Sequence, residues 1–306
     1  MILDASCIPS DVAYPTDLGL LNKGREITNK YIDKLYKPLK GKLKNKPKTE
    51  RKQARKSYLK VAKKKKVKEK ERKKAIKQQL RYLGRNLQHI ENLIKGGSSL
   101  DLLRKTEQKK LESIQKIYEQ QKWMFENNQR SIEGRIVSIS QPYIRPIVRG
   151  KARVAVEFGA KISISYVGGY VFLDKISWEN FNESKYLEEQ VELYYKNFGY
   201  YPKSIHVDQI YRTQANRKYC REKGIRMSGP KLGRPPKIIS KSEKKQANLD
   251  ERIRNRVEGK FGEGKRRYGL NLIKTKLVET SENKIAMSIL AMNLMTVLRS
   301  KLKAFL

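Results

Sequence analysis

With 306 residues, 38% of them hydrophobic, the chain is long enough to bury a core in one or two domains and too apolar for wholesale disorder. Its 70 Lys and Arg stand against 31 Asp and Glu, a formal charge of +39 that exceeds what solubility asks for and implies a polyanionic partner, nucleic acid or an anionic membrane surface. Only two cysteines (Cys7, Cys220) and two histidines (His89, His206) are present, which excludes a disulfide framework and a Cys/His zinc site; metal chemistry falls to carboxylates and favours a hard ion such as Mg²⁺.

In chain order, Ile2-Leu3-Asp4-Ala5-Ser6-Cys7 is an apolar run carrying one acid, the pattern of a strand that ends on Asp4. A strand takes about five to six residues, so the chain is expected to begin inside its first strand, as a shortened or internally initiated product. No signal-peptide pattern opens it, and a reducing cytosol is the expected setting.

Between Lys34 and Arg85 the sequence carries 24 Lys or Arg against three acids, Glu50, Glu69 and Glu71. Ile76, Leu80, Leu83, Leu87, Ile90 and Ile94 form an apolar seam, Lys95-Gly-Gly-Ser-Ser99 interrupts it, and Leu111, Ile114, Tyr118 and Phe125 form a second. Two seams joined by a Gly/Ser turn predict an antiparallel helical hairpin whose lysines face phosphates; a self-associating coiled coil is the alternative.

From Arg135 the pattern turns to strands. Arg135–Ser140 is one candidate, closed by Pro142 and Pro146; Phe158–Tyr166 is the next, turning at Gly168-Gly169 into Tyr170–Ser177. Ser184–Phe198 reads as a helix ended by Gly199, Ser204–Asp208 as a buried strand ending on an acid, Thr213 as the cap of a helix reaching Gly224, and Ile225–Ser228 as a short strand. His206, two residues before Asp208, is expected to turn away from it into the core. Gly229–Lys237 is a basic Pro/Gly linker containing Gly233-Arg234-Pro235, the minor-groove-binding AT-hook tripeptide. A charged helix around Arg254 and Glu258 follows. The last apolar stretch, Ile285–Leu298, is broken by Ser288, Asn293 and Thr296 and predicts a buried core helix too short for a bilayer.

Arg254, Glu258 and Lys265 fall within about 40° of one another around a helix, placing a carboxylate between two cations. Gly259–Lys265 also reads G-x-x-x-x-G-K, but a phosphate loop needs a preceding strand and a Ser or Thr after the Lys; a charged segment precedes and Arg266 follows. If Asp4, Asp208 and Glu258 converge, three carboxylates can hold two Mg²⁺ ions and support attack on a phosphodiester. Asp11, Asp17 and Asp174 are rival acids.

On Leu3-Asp4-Ala5-Ser6 with Tyr14-Pro-Thr-Asp17-Leu18, Val207-Asp208-Gln-Ile-Tyr211-Arg212, and Arg254-x3-Glu258-x6-Lys265 leading into Arg266-Arg-Tyr-Gly-Leu270, the chain resembles bacterial insertion-sequence transposases of the DDE superfamily, over essentially its whole length. That resemblance implies an α/β fold, a ribonuclease-H-like mixed sheet flanked by helices. Residues 1–14 would be the first strand, 15–134 a basic helical insertion, and 135–306 the rest of the catalytic core. It implies Asp4, Asp208 and Glu258 as catalytic, metal-binding acids for Mg²⁺, with Mn²⁺ as a substitute. It also implies DNA contacts at Arg254 and Lys265, with transposon ends and target DNA as partners; Arg212, Arg266 and Arg234 of the AT-hook-like tripeptide are further DNA-binding candidates.

A homodimer or higher assembly on DNA, no membrane, and a bacterial, nucleoid-associated location complete the expectation. Two departures stand out: Glu251 occupies the position where the family signature has Tyr, and the helical DNA-binding region that usually precedes the first acid is missing. Two other readings remain open: a non-enzymatic basic DNA-binding protein or inactive remnant, and a structure-selective nuclease on the same fold.

Overall fold

A computed structural model describes all residues except 44, 149–155, 231–232, 234–239 and 306, and the side chains of 303–305. It is a mixed α/β protein that divides into two compact units, Val12–Arg145 and the combination of Met1–Asp11 with Pro146–Leu306. The first strand, β1 (Ile2–Pro9), belongs to the discontinuous unit.

The continuous unit is helical. Thr16 caps α1 (Asp17–Tyr36) by accepting the Gly19 N–H at 3.1 Å. Three further helices follow: α2 (Arg51–Ala62), α3 (Glu69–Lys95) and α4 (Lys105–Glu126). The two predicted seams are present, and Gly97, with φ of 99°, makes the turn between them. Leu83, Leu87 and Ile90 of α3 and Leu111, Ile114 and Ile117 of α4 share one buried cluster with Leu21, Ile32 and Leu35 of α1. The principal neighbour of α3 is α1 rather than α4. Periodicity missed α1 because its inward face mixes leucines with buried Asn22, Arg25, Thr28 and Asn29. Asn86 of α3 meets that polar strip, its Nδ2 donating to Thr28 Oγ1 at 3.0 Å and Asn29 Oδ1 at 2.9 Å. The seams are thus covered from within the unit. Arg135–Ser140 is not a strand; Ile136 and Ile139 pack into this helical core instead.

The second unit is built on a sheet. Short β2 (Arg145–Val148) precedes β3 (Val156–Val167), and Gly168-Gly169, with φ of 57° and 99°, turns β3 into β4 (Tyr170–Ser177). On its two edges β3 pairs antiparallel with β1, Ile164 opposite Asp4, and with β4, Ile164 opposite Leu173. A 3₁₀ turn, Glu183–Tyr186, leads into α5 (Leu187–Phe198), which Gly199 closes in the left-handed region. Next come β5 (Ser204–Ile205), α6 (Gln214–Glu222), capped by Thr213, and β6 (Arg226–Met227), parallel to β5. A parallel bridge between Ile2 and His206 joins β5 to β1, with Leu3 N donating to His206 O at 3.1 Å. One sheet therefore holds β1, β3, β2 and β4, with β3 pairing each of the other three, and the single bridge at Ile2 sets the two-stranded β5–β6 sheet beside β1.

Alternation along β1 divides the core between two faces. Leu3 joins Leu187, Val191, Ile205, Val207 and Cys220 on the side of α5 and α6. Ile2 and Ile8 join Ile162, Ile164 and residues of the last two helices, α7 (Lys241–Arg267) and α8 (Val278–Phe305), on the other. Gly259 and Gly264 lie inside α7, so Gly259–Lys265 is helix and not a phosphate loop.

The expectation of a short buried helix at the C-terminal end needs correcting. By length and composition alone, Val278–Leu302 is long and apolar enough to cross a membrane. Ile285, Ile289 and Met292 are buried, while Met287, Leu290, Leu294 and Leu298 are exposed, the last two by 56% and 52%. Asn293 clasps the sheet: its Nδ2 donates to Val171 O at 2.8 Å, and its Oδ1 accepts Val171 N–H at 2.9 Å. A helix so tied to a strand on one side is docked on the sheet, with one face left over.

Of the three glycines in α7, Gly259 and Gly264 do different work. A Cβ on Gly264 would stand 2.9 Å from Leu270 Cδ1 and 3.0 Å from Met292 Sδ, whereas one on Gly259 would meet nothing within 4 Å. Gly259→Ala is expected to stabilise the protein by about 0.5–1 kcal/mol through helix propensity. Gly264→Leu should destabilise it by about 2 kcal/mol or more through overpacking. Thermal melts of the two variants, shifted in opposite directions, check the assignment.

Candidate active site

Because side chains alternate along β1, Asp4 and Ser6 point to the same face as Ile2 and Ile8, toward α7. Asp4 is the third of eight residues in its strand, so the acid sits within the strand and not at its end as the pattern predicts.

Helix α7 is fixed along β1 at several points. Its buried residues, Asp250, Val257 and Gly264, recur every seven positions and form the strip that faces the sheet. Asp250 accepts a two-pronged ion pair from Arg226 of β6, at 2.8 and 2.7 Å, and a hydrogen bond from Gln246 at 2.9 Å. His206 packs beside it, Nδ1 3.6 Å from Asp250 Oδ1; burial lowers the histidine's pKa against the pull of that carboxylate. Val257 is fully buried in the core. Lys265 Nζ donates to Ser6 Oγ at 3.3 Å, and beyond the helix Ile273 N donates to Pro9 O at 2.8 Å. Glu258 lies between these anchors.

Asp4 is held at a raised pKa of about 6, chiefly by burial. The Ala5 N–H, donating to its Oδ1 at 2.8 Å, opposes that shift. The charges of Glu183, Asp208 and Glu258 then push it further up. Four carboxylates from β1, the turn before α5, the end of β5 and α7 therefore share one electrostatic neighbourhood.

Strand β5 stops at Ile205, and Asp208 is an exposed residue capping a 3₁₀ turn, its Oδ1 accepting Gln209 N–H at 2.7 Å. Glu258 is exposed and accepts from Arg254 Nη1 at 3.1 Å. Arg212 feels Asp208 and Arg254; burial, then Arg217, lowers its pKa against the pull of Asp208. Arg266 is exposed in the last turn of α7. Arg234 and most of its linker lie outside the described residues. Tyr211 is fully buried beside Leu187 and Val191 and packs rather than lining a DNA path.

Glu183 was missed in the sequence, where it looks like any acid near a helix start. It pairs with Lys161 of β3 at 2.8 Å, both side chains largely buried. Asp250 was missed too, because its role appears only once Arg226 and His206 are beside it. The rival acids have other partners: Asp11 pairs with Lys276 at 3.2 Å, and Asp17, in the helical unit, with Arg135 at 2.6 Å. Asp174 is half-buried and accepts hydrogen bonds from Ser165 Oγ and Gln190 Nε2.

Among the described residues, no three His, Cys, Asp or Glu side chains stand together as a ready-made metal site. The donor chemistry nonetheless suits a hard cation: oxygen ligands only, with one carboxyl held near pKa 6 by burial and by like charges that a cation would offset.

Residues 205–295 match the family described as Transposase DDE domain. The matched stretch contains Asp208, α6, β6, all of α7 with Glu258, and much of α8, but it is less than half of the chain. A search of curated proteins found no match.

Asp174 provides a pH test of this unit's electrostatics. Burial raises its pKa to about 6 against the two hydrogen bonds that favour its charge. The native state thus holds this proton more tightly than the unfolded chain, whose Asp titrates near 3.9. The resulting stability is present below about pH 4 and is lost as pH rises through 6. Asp174→Asn should therefore raise stability at pH 7.5 by about 1–3 kcal/mol. Urea unfolding at pH 5 and 7.5 should show the gap narrowing on acidification; a gap that widens would refute the assignment.

Proposed function

We propose that this chain is the catalytic core of a DNA transposase, cutting phosphodiesters at transposon ends and joining 3′-hydroxyl ends to target DNA. The observation that carries the reading is that the charges of Asp208 and Glu258, both inside the stretch that matches the DDE domain, bear on the carboxyl group of Asp4, from which each is more than 200 residues away in sequence. The strand order, with β1 antiparallel to β3 and bridged in parallel to β5, suits a ribonuclease-H-like sheet.

In this reading Asp4, Asp208 and Glu258 would hold Mg²⁺, or Mn²⁺ in its place. Such ions, when bound, activate the attacking hydroxyl and stabilise the leaving oxygen. The chain's own residues do the rest. The clamp at Asp250 and the Lys265–Ser6 contact hold Glu258 beside β1. Arg254 neutralises Glu258 at 3.1 Å. Arg212, Arg254, Lys265 and Arg266 offset the repulsion between the carboxylates and DNA phosphates, which would otherwise keep the substrate away.

A DNA-bound homodimer belongs to the same proposal. The exposed stripe of α8 is uncharged between Lys284 and Arg299, with Glu279 and Glu282 before it and Arg299 and Lys301 after it. Antiparallel pairing of two copies would cover the stripe and bring unlike charges together. Leu290→Glu/Leu294→Glu should hold the chain monomeric in sedimentation, where the unaltered chain dimerises on DNA.

Catalysis is tested by nicking of supercoiled plasmid and joining of a labelled 3′-hydroxyl oligonucleotide in Mg²⁺ or Mn²⁺. Asp4→Asn, Asp208→Asn and Glu258→Gln should each lower both rates by about 100-fold or more while DNA binding persists. Nicking without joining would favour a structure-selective nuclease. Tight binding with neither reaction would leave a basic DNA-binding protein.

A further inference from the structure

The helical unit carries a basic cleft that the catalytic reading leaves unused. It is an open cavity of about 600 Å³ where α1 meets α2, lined by Lys23, Arg25, Glu26, Lys30, Arg51 and Arg55 among others. Arg25 is buried, 1% exposed. Its Nη2 donates to Asn22 Oδ1 at 2.6 Å and Glu26 Oε1 at 3.3 Å, while its Nε is buried with no acceptor among the described residues. The buried guanidinium fixes a positive charge beneath the cleft, a charge that an anion in the cleft would offset.

The surroundings add to that charge. Glu26, half-exposed, is the single carboxylate lining the cleft. Arg51 is aimed by Asp33 at 2.6 Å and by Asn29 O at 3.1 Å. Lys23, Lys30 and Arg55 have no acidic partner among the described residues. Burial lowers the pKa of Arg25; Glu26 and Tyr82 oppose this, and the cations Arg51 and Arg55 add to it. The site is also rigid where it matters: Asn86 of α3 donates to Arg25 O at 3.3 Å, and Thr28 Oγ1 donates to Gly24 O at 2.9 Å.

We propose that this cleft is a built phosphate site for the nucleic-acid backbone, with Lys23, Lys30 and Arg55 as the contacting rim and the buried Arg25 as a fixed positive floor. The planar fork of Arg55 matches two phosphate oxygens, which a lone surface lysine does not. Lys65 and Lys66, exposed on the link between α2 and α3, have the same charge with no such floor beneath them. The proposal rests on the chain binding DNA and is independent of whether it cleaves it.

The test uses the full chain and a fluorescent duplex of arbitrary sequence, with affinity measured across a salt series. Lys30→Gln/Arg55→Gln should lower the slope of log affinity against log salt by about 2, one contact for each charge removed. Lys65→Gln/Lys66→Gln removes the same charge and should leave the slope within error. Inorganic pyrophosphate should raise the melting temperature of the unaltered chain and not that of the Lys30/Arg55 variant.

Equal slope changes in the two variants, or none in either, would overturn the site. A pyrophosphate response with an unchanged DNA slope would overturn it in favour of a free-phosphate site. Loss of binding to anionic lipid vesicles with DNA unaffected would overturn it in favour of a membrane surface. Failure of plasmid nicking in every protein, with the slopes still different, would remove only the catalytic reading.

Discussion

The placement of α7 against β1 is the constraint on which the candidate site depends. Glu258 is exposed and makes one ion pair of its own, so nothing local fixes its position. What fixes it is the strip of Asp250, Val257 and Gly264. Asp250 is tied to Arg226, Val257 is buried under the helix, and Gly264 allows Met292 and Leu270 to approach. An ion pair whose acid is largely buried and whose bonds are two-pronged is far more directional than a solvated one. A carboxylate meant to act together with residues hundreds of positions away needs a helix that cannot slide, and these ties resist both rotation and translation.

The same neighbourhood shows why such a site works against stability. Burial already disfavours the charge on Asp4, and the acids around it disfavour it further. The Ala5 N–H returns only part of that cost. Natural sequences tolerate this arrangement where a ligand supplies the missing countercharge. Lys161 shows the contrasting solution: it neutralises Glu183 directly, at 2.8 Å, in a nearly buried pair that asks for no ligand.

Much of the sheet unit was legible because its punctuation is local. Gly168-Gly169, Gly199 and Thr213 each do one thing in any context, and each does it here. Elements whose character is set by distant partners were harder to read. Helix α1 hides its period because Asn22, Thr28 and Asn29 are buried where leucines would be expected, satisfied by Asn86 of another helix. Arg135–Ser140 has the alternation of a strand, yet its isoleucines find a helical core first. Helix α8 was read as buried from its apolarity, whereas only the Ile285, Ile289 and Met292 side is covered. Of the candidate site, strand order and helix spacing drew attention to Asp4, Asp208 and Glu258, and the resemblance to DDE transposases assigned them their expected roles. Glu183, Asp250 and the Arg226 clamp carry no pattern that survives without coordinates.

Charge alone would not separate a specific DNA-handling protein from a generally sticky one, and the distinction lies in which cations are free to move. Most of the lysines between Lys34 and Arg85 are exposed on flexible stems, where attraction to a polyanion is diffuse and easily screened by salt. Arg25 is the opposite case. Its backbone is gripped by Asn86 and its guanidinium by Asn22 and Glu26, so the entropy of ordering it is already spent in folding. In the proposed cleft a phosphate drawn to that fixed charge finds it already placed, whereas one meeting a loose lysine must order it. Under that proposal the cleft above Arg25 is where the helical unit would position DNA as well as attract it.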